Sequence, residues 1–152
     1  MRMSLLVGLP AAFLAGLLVS RAIPPADAQS AAAALEPRQV NLTSLTDDEI
    51  GPLINNTDLR SRTLVATEWG TVALQSGNVL KHLHEGANEI QFILDGSGSF
   101  WLGDREVQVK PGDLLVIPKN TPHAGSRAAT GRFRALAIKM PPQRPDDVKP
   151  VP

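Results

Sequence analysis

The chain has 152 residues, with 15 basic side chains, 15 acidic side chains and three histidines, so its formal charge is zero when the histidines are neutral. This length favours a single domain, and the balanced charge argues against a nucleic-acid-binding protein, which needs a basic surface. Cysteine and tyrosine are both absent, which excludes disulfides, thiolate ligands, thiol nucleophiles and any tyrosine acid, base or radical.

The N-terminal residues 1–28 have the features of a secretory signal peptide. Arg2 supplies the positive start, and the apolar run from Leu5 to Val19 is shorter than the roughly 20 residues of a membrane-spanning helix. Ala26–Ala28 places small residues where a signal peptidase cuts. We therefore expect cleavage after Ala28, a periplasmic or secreted protein, and no stable membrane anchor after cleavage. An uncleaved anchor helix is the alternative.

Residues 29–62 are expected to form an N-terminal arm and a short helix. The segment that starts at Thr46 and reaches Glu49 has the form of a capping box, in which the threonine side chain accepts from a helical N–H and the glutamate reaches back. Ile50 begins the apolar face of this helix, and Pro52 keeps the helix short. The predicted role of the helix is to cover one end of the folded domain.

From Thr63 onwards, short runs rich in Val, Ile, Leu and Phe alternate with turn residues, which is typical of β-strands. Strands this short and evenly spaced, with no helical stretches between them, predict an all-β antiparallel sandwich or barrel over residues 63–140. The predicted strands cover residues 63–69, 71–76, 79–84, 89–95, 98–102, 105–109, 114–117, 122–125 and 132–140. Residues 141–152 contain five prolines and mixed charges, which predicts a Pro-rich disordered tail.

The three histidines of the chain fall into two short segments that predict a metal site. His82 and His84 are two residues apart in a predicted strand, so both imidazoles face the same side. Glu89 opens the next strand, where its carboxylate can return to that space, whereas strand parity points Glu85 away. His123 follows a predicted strand that ends in a tight turn, and this turn can bring its imidazole to the same space. Imidazole and carboxylate are ligands for Fe, Mn, Ni, Cu and Zn, and the pattern does not select one of these divalent ions.

The spacing of these residues resembles the two sequence motifs of the cupin superfamily, and the chain is similar to small single-domain cupins with a type-2 conserved barrel. The first motif is matched by Gly77, His82, His84, Glu89 and Gly96, and the second by Gly112, Pro118 and His123. The chain departs from the pattern at Asn120, where Gly is usual, at Arg127, where Asn is usual, and in a gap after Gly77 that is one residue short.

This resemblance implies a small antiparallel double-stranded β-helix, or jelly-roll barrel, that holds one divalent transition metal through His82, His84, Glu89 and His123. Four protein ligands leave two places open on an octahedral ion, and an open place distinguishes a catalytic site from a closed structural one. A metal-dependent dioxygenase, isomerase, lyase or decarboxylase acting on a small carbonyl or hydroxyl compound is therefore favoured. The alternative is a non-catalytic protein that binds a small molecule or the metal, because no second acid or base appears near the motifs.

Three polar side chains outside the motifs have open interpretations. Gln91 lies two residues after Glu89 on the same strand face, where a core strand would be apolar. It is predicted to act beside the metal ligands, and the alternative is a hydrogen bond to a neighbouring strand. Arg132 and Arg134 share one face of the last strand. An exposed sheet face is predicted for them, with contact to an anionic substrate as the alternative.

Four of the six aromatic side chains are predicted to lie in the core or in an interface; they are Trp69, Phe92, Phe100 and Trp101. Phe100 and Trp101 are adjacent in a predicted strand and point to opposite faces, so only one of them can line the barrel interior. The other is a candidate dimer contact, because the resemblance implies pairing through sheets. A homodimer and a small-molecule ligand are therefore the expected partners.

Overall fold

The computed structural model describes residues 35–54 and 57–152, so the predicted signal peptide lies outside the described residues. Within those ranges, no helix combines the length and the apolar character that crossing a bilayer requires. The elements are α1 (Asp47–Ile50), β1 (Arg60–Ala66), β2 (Thr71–Ser76), β3 (His82–His84), β4 (Asn88–Leu102), β5 (Arg105–Val109), β6 (Leu114–Ile117), β7 (His123–Met140) and β8 (Val148–Pro150).

The strands form a single curled sheet in which each pairing is antiparallel, as the sequence predicts. β7 pairs with β2, β3 and β4, and β4 also pairs with β5 and β6. The bounds of β2, β5 and β6 agree with the prediction, whereas β1 begins at Arg60, before the expected start of the barrel at Thr63. Because the sheet curls around β7, strands that are far apart in the sequence line the same interior.

The two long strands β4 and β7 each join two predicted strands, 89–95 with 98–102 and 122–125 with 132–140. The register between β4 and β7 shifts between Asp95 and Gly98, where β4 bulges and bends. Gly96 has φ +79°, and a Cβ at this position would lie 2.8 Å from the backbone of Arg132. A residue without a side chain is therefore required at the bend. The bend allows one strand to contribute to both halves of the barrel.

Inward-facing side chains change from polar to apolar along β4. Glu89, Gln91 and Ile93 are 1%, 4% and 2% exposed, and they alternate with outward-facing Ile90 and Phe92. This period-two pattern places the acid and the amide at one end of the interior, beside the apolar core. The core cluster contains Ile93, Phe100, Val109, Leu115, Ile117, Ala124, Phe133 and Ala135.

The predicted capping box begins helix α1. The Thr46 backbone N–H donates to Glu49 Oε2 at 2.7 Å, and the Glu49 N–H donates to Thr46 Oγ1 at 3.3 Å. These reciprocal bonds satisfy two N–H groups that have no partner within the helix. The four-residue helix buries Ile50 and contacts β1 and β2, so it covers the outer side of that edge of the sheet.

Acidic residues near the helix bind the two arginines for which an exposed sheet face was predicted. Arg132 Nε lies 3.1 Å from Asp47 Oδ2, and its Nη1 donates to Asp58 Oδ1 at 2.8 Å. Arg134 Nη2 donates to Asp47 Oδ1 at 3.0 Å. Both arginines thus lie on the outer face of the sheet, as predicted, but these contacts leave their side chains only 34% and 18% exposed. The two guanidinium groups hold Asp47 and Asp58 on the barrel.

Residues 141–152, here named the C-terminal strap, differ from the disordered tail that their composition predicts. Val148–Pro150 forms strand β8, which pairs with β3 so that His84 faces Val148 and His82 faces Pro150. A proline is compatible with this position because β8 is the outer strand of the sheet, where a missing N–H costs no ladder bond. The composition of the strap correctly indicates that it cannot form a core of its own. It gives no information on whether the strap can pair with an existing strand.

Only part of the aromatic prediction is confirmed. Phe100 is 3% exposed in the core, and Trp101 faces the opposite side, with Lys81 Nζ 4.3 Å from its ring centroid. Trp69, by contrast, is 77% exposed in the turn between β1 and β2, so it does not lie in the core, and an interface remains the prediction for it. Phe92 is 38% exposed on the outer face of β4.

Candidate metal centre

Four side chains meet at the polar end of the barrel interior. Ligand atoms from His82, His84, Glu89 and His123 all lie within 4.8 Å of one another. Glu89 Oε2 is 2.9 Å from His84 Nε2 and 3.2 Å from His123 Nε2, and the Nε2 atoms of His82 and His84 are 3.3 Å apart. The structure thus brings together all four residues that the sequence analysis proposed as metal ligands.

Local backbone geometry explains how these side chains converge. The two histidines of β3 share one face of the strand because they are two residues apart. His82 also pairs with His123, the first residue of the neighbouring strand β7. The turn before β7 contains Asn120 at φ +63°, and its N–H donates to the His84 carbonyl at 2.7 Å. Asparagine tolerates this left-handed conformation, so it performs the role of the glycine that is usual there.

Backbone carbonyls determine which nitrogen carries the proton in two of the imidazoles. His82 Nδ1 lies 2.8 Å from the Leu80 carbonyl oxygen, and His123 Nδ1 lies 2.9 Å from the Thr121 carbonyl oxygen. A carbonyl oxygen only accepts, so each Nδ1 carries the N–H and donates it. In the neutral rings the Nε2 lone pairs are then directed toward the centre.

This arrangement needs a proton or a cation at its middle. Lone pairs of imidazole nitrogens face each other and the Glu89 carboxylate at the short distances given above, and such contacts repel unless a proton or a cation lies between them. Three imidazole nitrogens and one carboxylate oxygen also form the type of donor set that divalent transition metals prefer. The residues present therefore fit a metal ion on their own chemistry.

Glu89 is held in its charged form although its side chain is buried. Burial alone disfavours the carboxylate, but in the metal-free protein protons held between Oε2 and the rings of His123 and His84, together with the charge of Lys139, outweigh this effect and hold the pKa of Glu89 well below its usual value. Gln91 Nε2 donates to Glu89 Oε1 at 2.9 Å, which leaves Oε2 directed at the histidines. Gln91 thus orients the acid.

Beyond Gln91, the barrel encloses a small cavity of about 20 Å³. A water molecule needs roughly 10–15 Å³, so this space accepts a group of very few atoms. Because Gln91 both lines the cavity and contacts Glu89, it connects the cavity with the candidate metal centre. The lining residues are Gln75, Gly77, Val79, Gln91, Ile93, Phe100, Ser126, Phe133 and Ala135.

Comparison with known families identifies this barrel. Residues 70–139, which include all four candidate ligands and most of the sheet, match the family model of the cupin domain. These residues form a cupin domain. Its fold is shared by a double-stranded β-helix protein from Klebsiella pneumoniae, with a TM-score of 0.57 at 15% identity over 70% of this chain and 91% of that one. The predicted jelly-roll class is therefore confirmed.

Two curated relatives share parts of the cupin domain. Quercetin 2,3-dioxygenase from Bacillus subtilis is 30% identical over 83 residues, which are 53% of this chain and 23% of that protein. Acireductone dioxygenase from Heterostelium pallidum is 35% identical over 63 residues, 38% of this chain and 42% of that protein. The chain thus spans less than half the length of either relative.

The two residues that depart from the second cupin motif do not disturb the candidate centre. Asn120 adopts the positive φ of the turn, as described above, and Arg127 is exposed on the surface of β7. Glu85, the rejected alternative ligand, is 53% exposed and lies 3.6 Å from Lys149 Nζ. Its carboxylate is therefore directed away from the imidazoles, as strand parity predicts.

One residue of this site escaped the sequence analysis. Asp147, in the C-terminal strap, is 1% exposed, and its Oδ2 lies 3.3 Å from His84 Nδ1. The only signal in the sequence is an acidic pair within a Pro-rich segment, which is usual for a solvated tail. Its position depends on the pairing of β8 with β3, and no local pattern reports that pairing.

We expect the metal-free cupin domain to lose stability as the pH falls from about 6.5 to about 4. Burial, assisted by the neighbouring His123 and His84, lowers the pKa of His82 from 6.5 to about 4. The unfolded chain then binds this proton first, so unfolding becomes easier in that window, by on the order of 3 kcal/mol when complete. Below about 4.5, protonation of Glu89 in the unfolded chain adds to the loss. Urea unfolding across this pH range, with a chelator present, measures the effect.

The variant His82→Gln provides the control, since glutamine does not titrate. Its stability should fall less between pH 6.5 and 4.5 than that of the parent chain. Equal slopes for the two proteins would show that His82 is not the titrating group.

Proposed function

We propose that the protein is a metal-dependent dioxygenase of a small compound carrying hydroxyl and carbonyl groups. The observation that carries this proposal is the convergence of three imidazole Nε2 atoms and one carboxylate on a point inside the cupin domain. The two dioxygenase relatives favour oxygen chemistry over the isomerase, lyase and decarboxylase alternatives.

In this proposal the ligands hold the metal and the neighbouring residues control access to it. When bound, an ion such as Fe, Mn, Ni or Cu supplies the ability to bring dioxygen and substrate together. Gln91 keeps Oε2 of Glu89 on the ligand side. His84, Glu89 and His123 are at most 2% exposed, whereas His82 is partly exposed, so substrate approaches past His82. Both oxygen atoms enter the products, and the substrate supplies the electrons.

The test is oxygen uptake by protein loaded with each metal in turn. Metal-free protein is reconstituted with Fe(II), Mn(II), Ni(II), Cu(II) or Zn(II), and a panel of small hydroxy-carbonyl compounds is screened in an oxygen electrode. We expect uptake with at least one redox-active metal and none with Zn(II). Metal binding without uptake for the whole panel would contradict the proposal and favour the alternative below. A His84→Ala chain controls for free metal.

The second candidate function is non-catalytic capture of a small molecule or of the metal. The interior cavity favours it, because none of the described residues that line that cavity carries a titratable side chain able to move a proton. A binder retains its ligand unchanged, whereas a dioxygenase consumes it. Recovery of the intact compound after incubation with the metal-loaded protein separates the two functions.

We also propose that the protein is exported and that a signal peptidase cuts after Ala28. The expected mature protein begins at Gln29, since Ala26 and Ala28 present small side chains to the peptidase. Mass spectrometry of the protein isolated from the cell envelope and medium gives its first residue directly. Replacing Ala28 by Arg should block processing and leave the longer form. A native chain that retains Met1 in full would contradict this proposal.

A homodimer through the outer sheet face is the third part of the proposal. Phe92 lies between Leu114 and Leu136 in the sheet, and Ile90 lies between Val116 and Ile138. These rows form a continuous apolar face, on which Leu114 and Val116 are 59% and 61% exposed. Such a patch is typical of a protein interface. Light scattering after gel filtration should give twice the monomer mass.

The matched variants Leu114→Lys and Leu35→Lys test this interface. The two leucines are 59% and 60% exposed, but only Leu114 lies on the apolar face. We expect Leu114→Lys to become monomeric and Leu35→Lys to remain dimeric, because a buried unpaired charge opposes association. If both variants keep the parent mass, this face is not the interface.

A further inference from the structure

The C-terminal strap lies directly against the strand that carries two of the candidate ligands. β8 pairs with β3, the Val151 N–H donates to the Lys81 carbonyl at 3.1 Å, and the Glu85 N–H donates to the Asp147 carbonyl at 3.2 Å. Three backbone connections therefore fasten the strap on both sides of His82 and His84. A chain segment in this position can control the orientation of the ligands.

Asp147 is the strap residue that reaches the centre. Its side chain is 1% exposed, and its Oδ1 accepts a hydrogen bond from the Gly86 N–H. Its Oδ2 lies 3.3 Å from His84 Nδ1, and within residues 35–54 and 57–152 neither of these two buried atoms has a hydrogen-bond partner of good geometry. The two atoms therefore face each other, at a distance that a small rotation of the ring converts into a hydrogen bond.

The turn between β3 and β4 is shaped to receive this carboxyl group. A Cβ at position 86 would lie 2.9 Å from Asp147 Oδ1, a distance that real Cβ atoms almost never show. Gly86 therefore allows an approach that any other residue would obstruct. Because buried aspartates are rare unless they are paired, this fitted position indicates a specific role.

His84 lies between two carboxyl groups, one at each ring nitrogen. Its Nε2 is 2.9 Å from Glu89 Oε2, and its Nδ1 is 3.3 Å from Asp147 Oδ2. A neutral imidazole has a single N–H and can donate to only one of them. With the N–H on Nδ1 facing Asp147, the Nε2 lone pair faces Glu89, and a cation between them resolves the repulsion.

We infer that Asp147 is a positioning residue that fixes His84 in the Nδ1–H tautomer, so that its Nε2 is ready to bind a metal ion. This inference rests on the metal site of the proposed function and adds a residue from outside the cupin motifs. In this arrangement all three histidines donate through Nδ1 to an oxygen, which is a backbone carbonyl for His82 and His123 and the Asp147 side chain for His84.

The variant Asp147→Asn tests the inference, with Asp146→Asn as its matched control. Asp146 is 75% exposed and adjacent in sequence. In Asp147→Asn the amide oxygen keeps the bond from the Gly86 N–H, so the amide NH₂ group faces His84 and favours the wrong tautomer. We expect the affinity for Zn(II), measured by competition with a chromogenic chelator, to fall by roughly 10- to 100-fold. The Asp146→Asn chain should keep the parent affinity.

A second measurement on the parent protein does not depend on the folding of any variant. In the Zn(II)-loaded protein, nitrogen-15 NMR should show a protected, hydrogen-bonded proton on His84 Nδ1. A freely exchanging proton there would overturn the inference, as would Asp147→Asn binding Zn(II) as tightly as the parent. In either case the metal site of the proposed function stays intact. A parent protein that binds no metal ion at all would overturn both.

Discussion

A chain in which His82 and His84 are both replaced by Ala should purify without bound metal. The double substitution removes two of the four candidate donors, and the remaining Glu89 and His123 offer a divalent ion too few ligands to compete with water and buffer. The loss of affinity should exceed the roughly 100-fold expected for a residue that only orients a ligand. Elemental analysis of protein from parallel purifications measures the bound metal.

Two controls keep this result interpretable. Glu85→Gln changes an exposed carboxylate in the adjacent turn, so its metal content should match that of the parent. Circular dichroism of the double variant shows whether the sheet has formed. A folded double variant that carries the parent's metal content would mean that the ion binds elsewhere, and the assignment of the centre would be wrong.

Metal loading should raise the melting temperature of the parent protein by roughly 10 °C or more. An ion that binds only the folded state stabilises it by about 4 kcal/mol at a concentration roughly 1,000 times its dissociation constant. Two features of this centre favour a large effect: the buried Glu89 carboxylate gains a cation, and the facing lone pairs of His82 and His84 no longer repel. Calorimetric scans of chelator-treated and reconstituted protein measure the shift.

The double variant with Ala at positions 82 and 84 provides the control, and its melting temperature should be insensitive to the same metal. Mg²⁺ should also have little effect on the parent, because this ion prefers oxygen ligands. An equal shift in the parent and in the double variant would indicate binding outside the centre.

Local patterns in the sequence predict much of the fold and the four candidate ligands. The alternation of side chains along a strand is a short-range property, so it correctly places His82 and His84 on one face and directs Glu85 away from them. The bounds of β2, β5 and β6 are predicted for the same reason, since turn residues flank each of them. The continuity of β4 through Gly96, between the predicted strands 89–95 and 98–102, was missed because glycine is common both in turns and at bulges within a continuous strand.

The features that escaped prediction depend on contacts between distant parts of the chain. Asp147 reaches His84 only because β8 docks on β3, and nothing in the Pro-rich composition of the strap encodes that partner. Likewise, Arg132 and Arg134 are partly covered because they bind acidic side chains, Asp47 and Asp58, that precede β2 in the sequence. Composition describes how a segment behaves alone, whereas its final position depends on the surface that the rest of the chain presents.

The position of Asp147 after the barrel strands in the sequence limits when the centre can be assembled. The strap leaves the ribosome after β1 to β7, because synthesis proceeds from the N-terminus. Strand β3, with His82 and His84, emerges earlier and lacks its outer neighbour until the strap has been synthesised. Metal uptake at full affinity therefore follows the docking of the strap, and the ions available at that moment determine which metal the centre acquires.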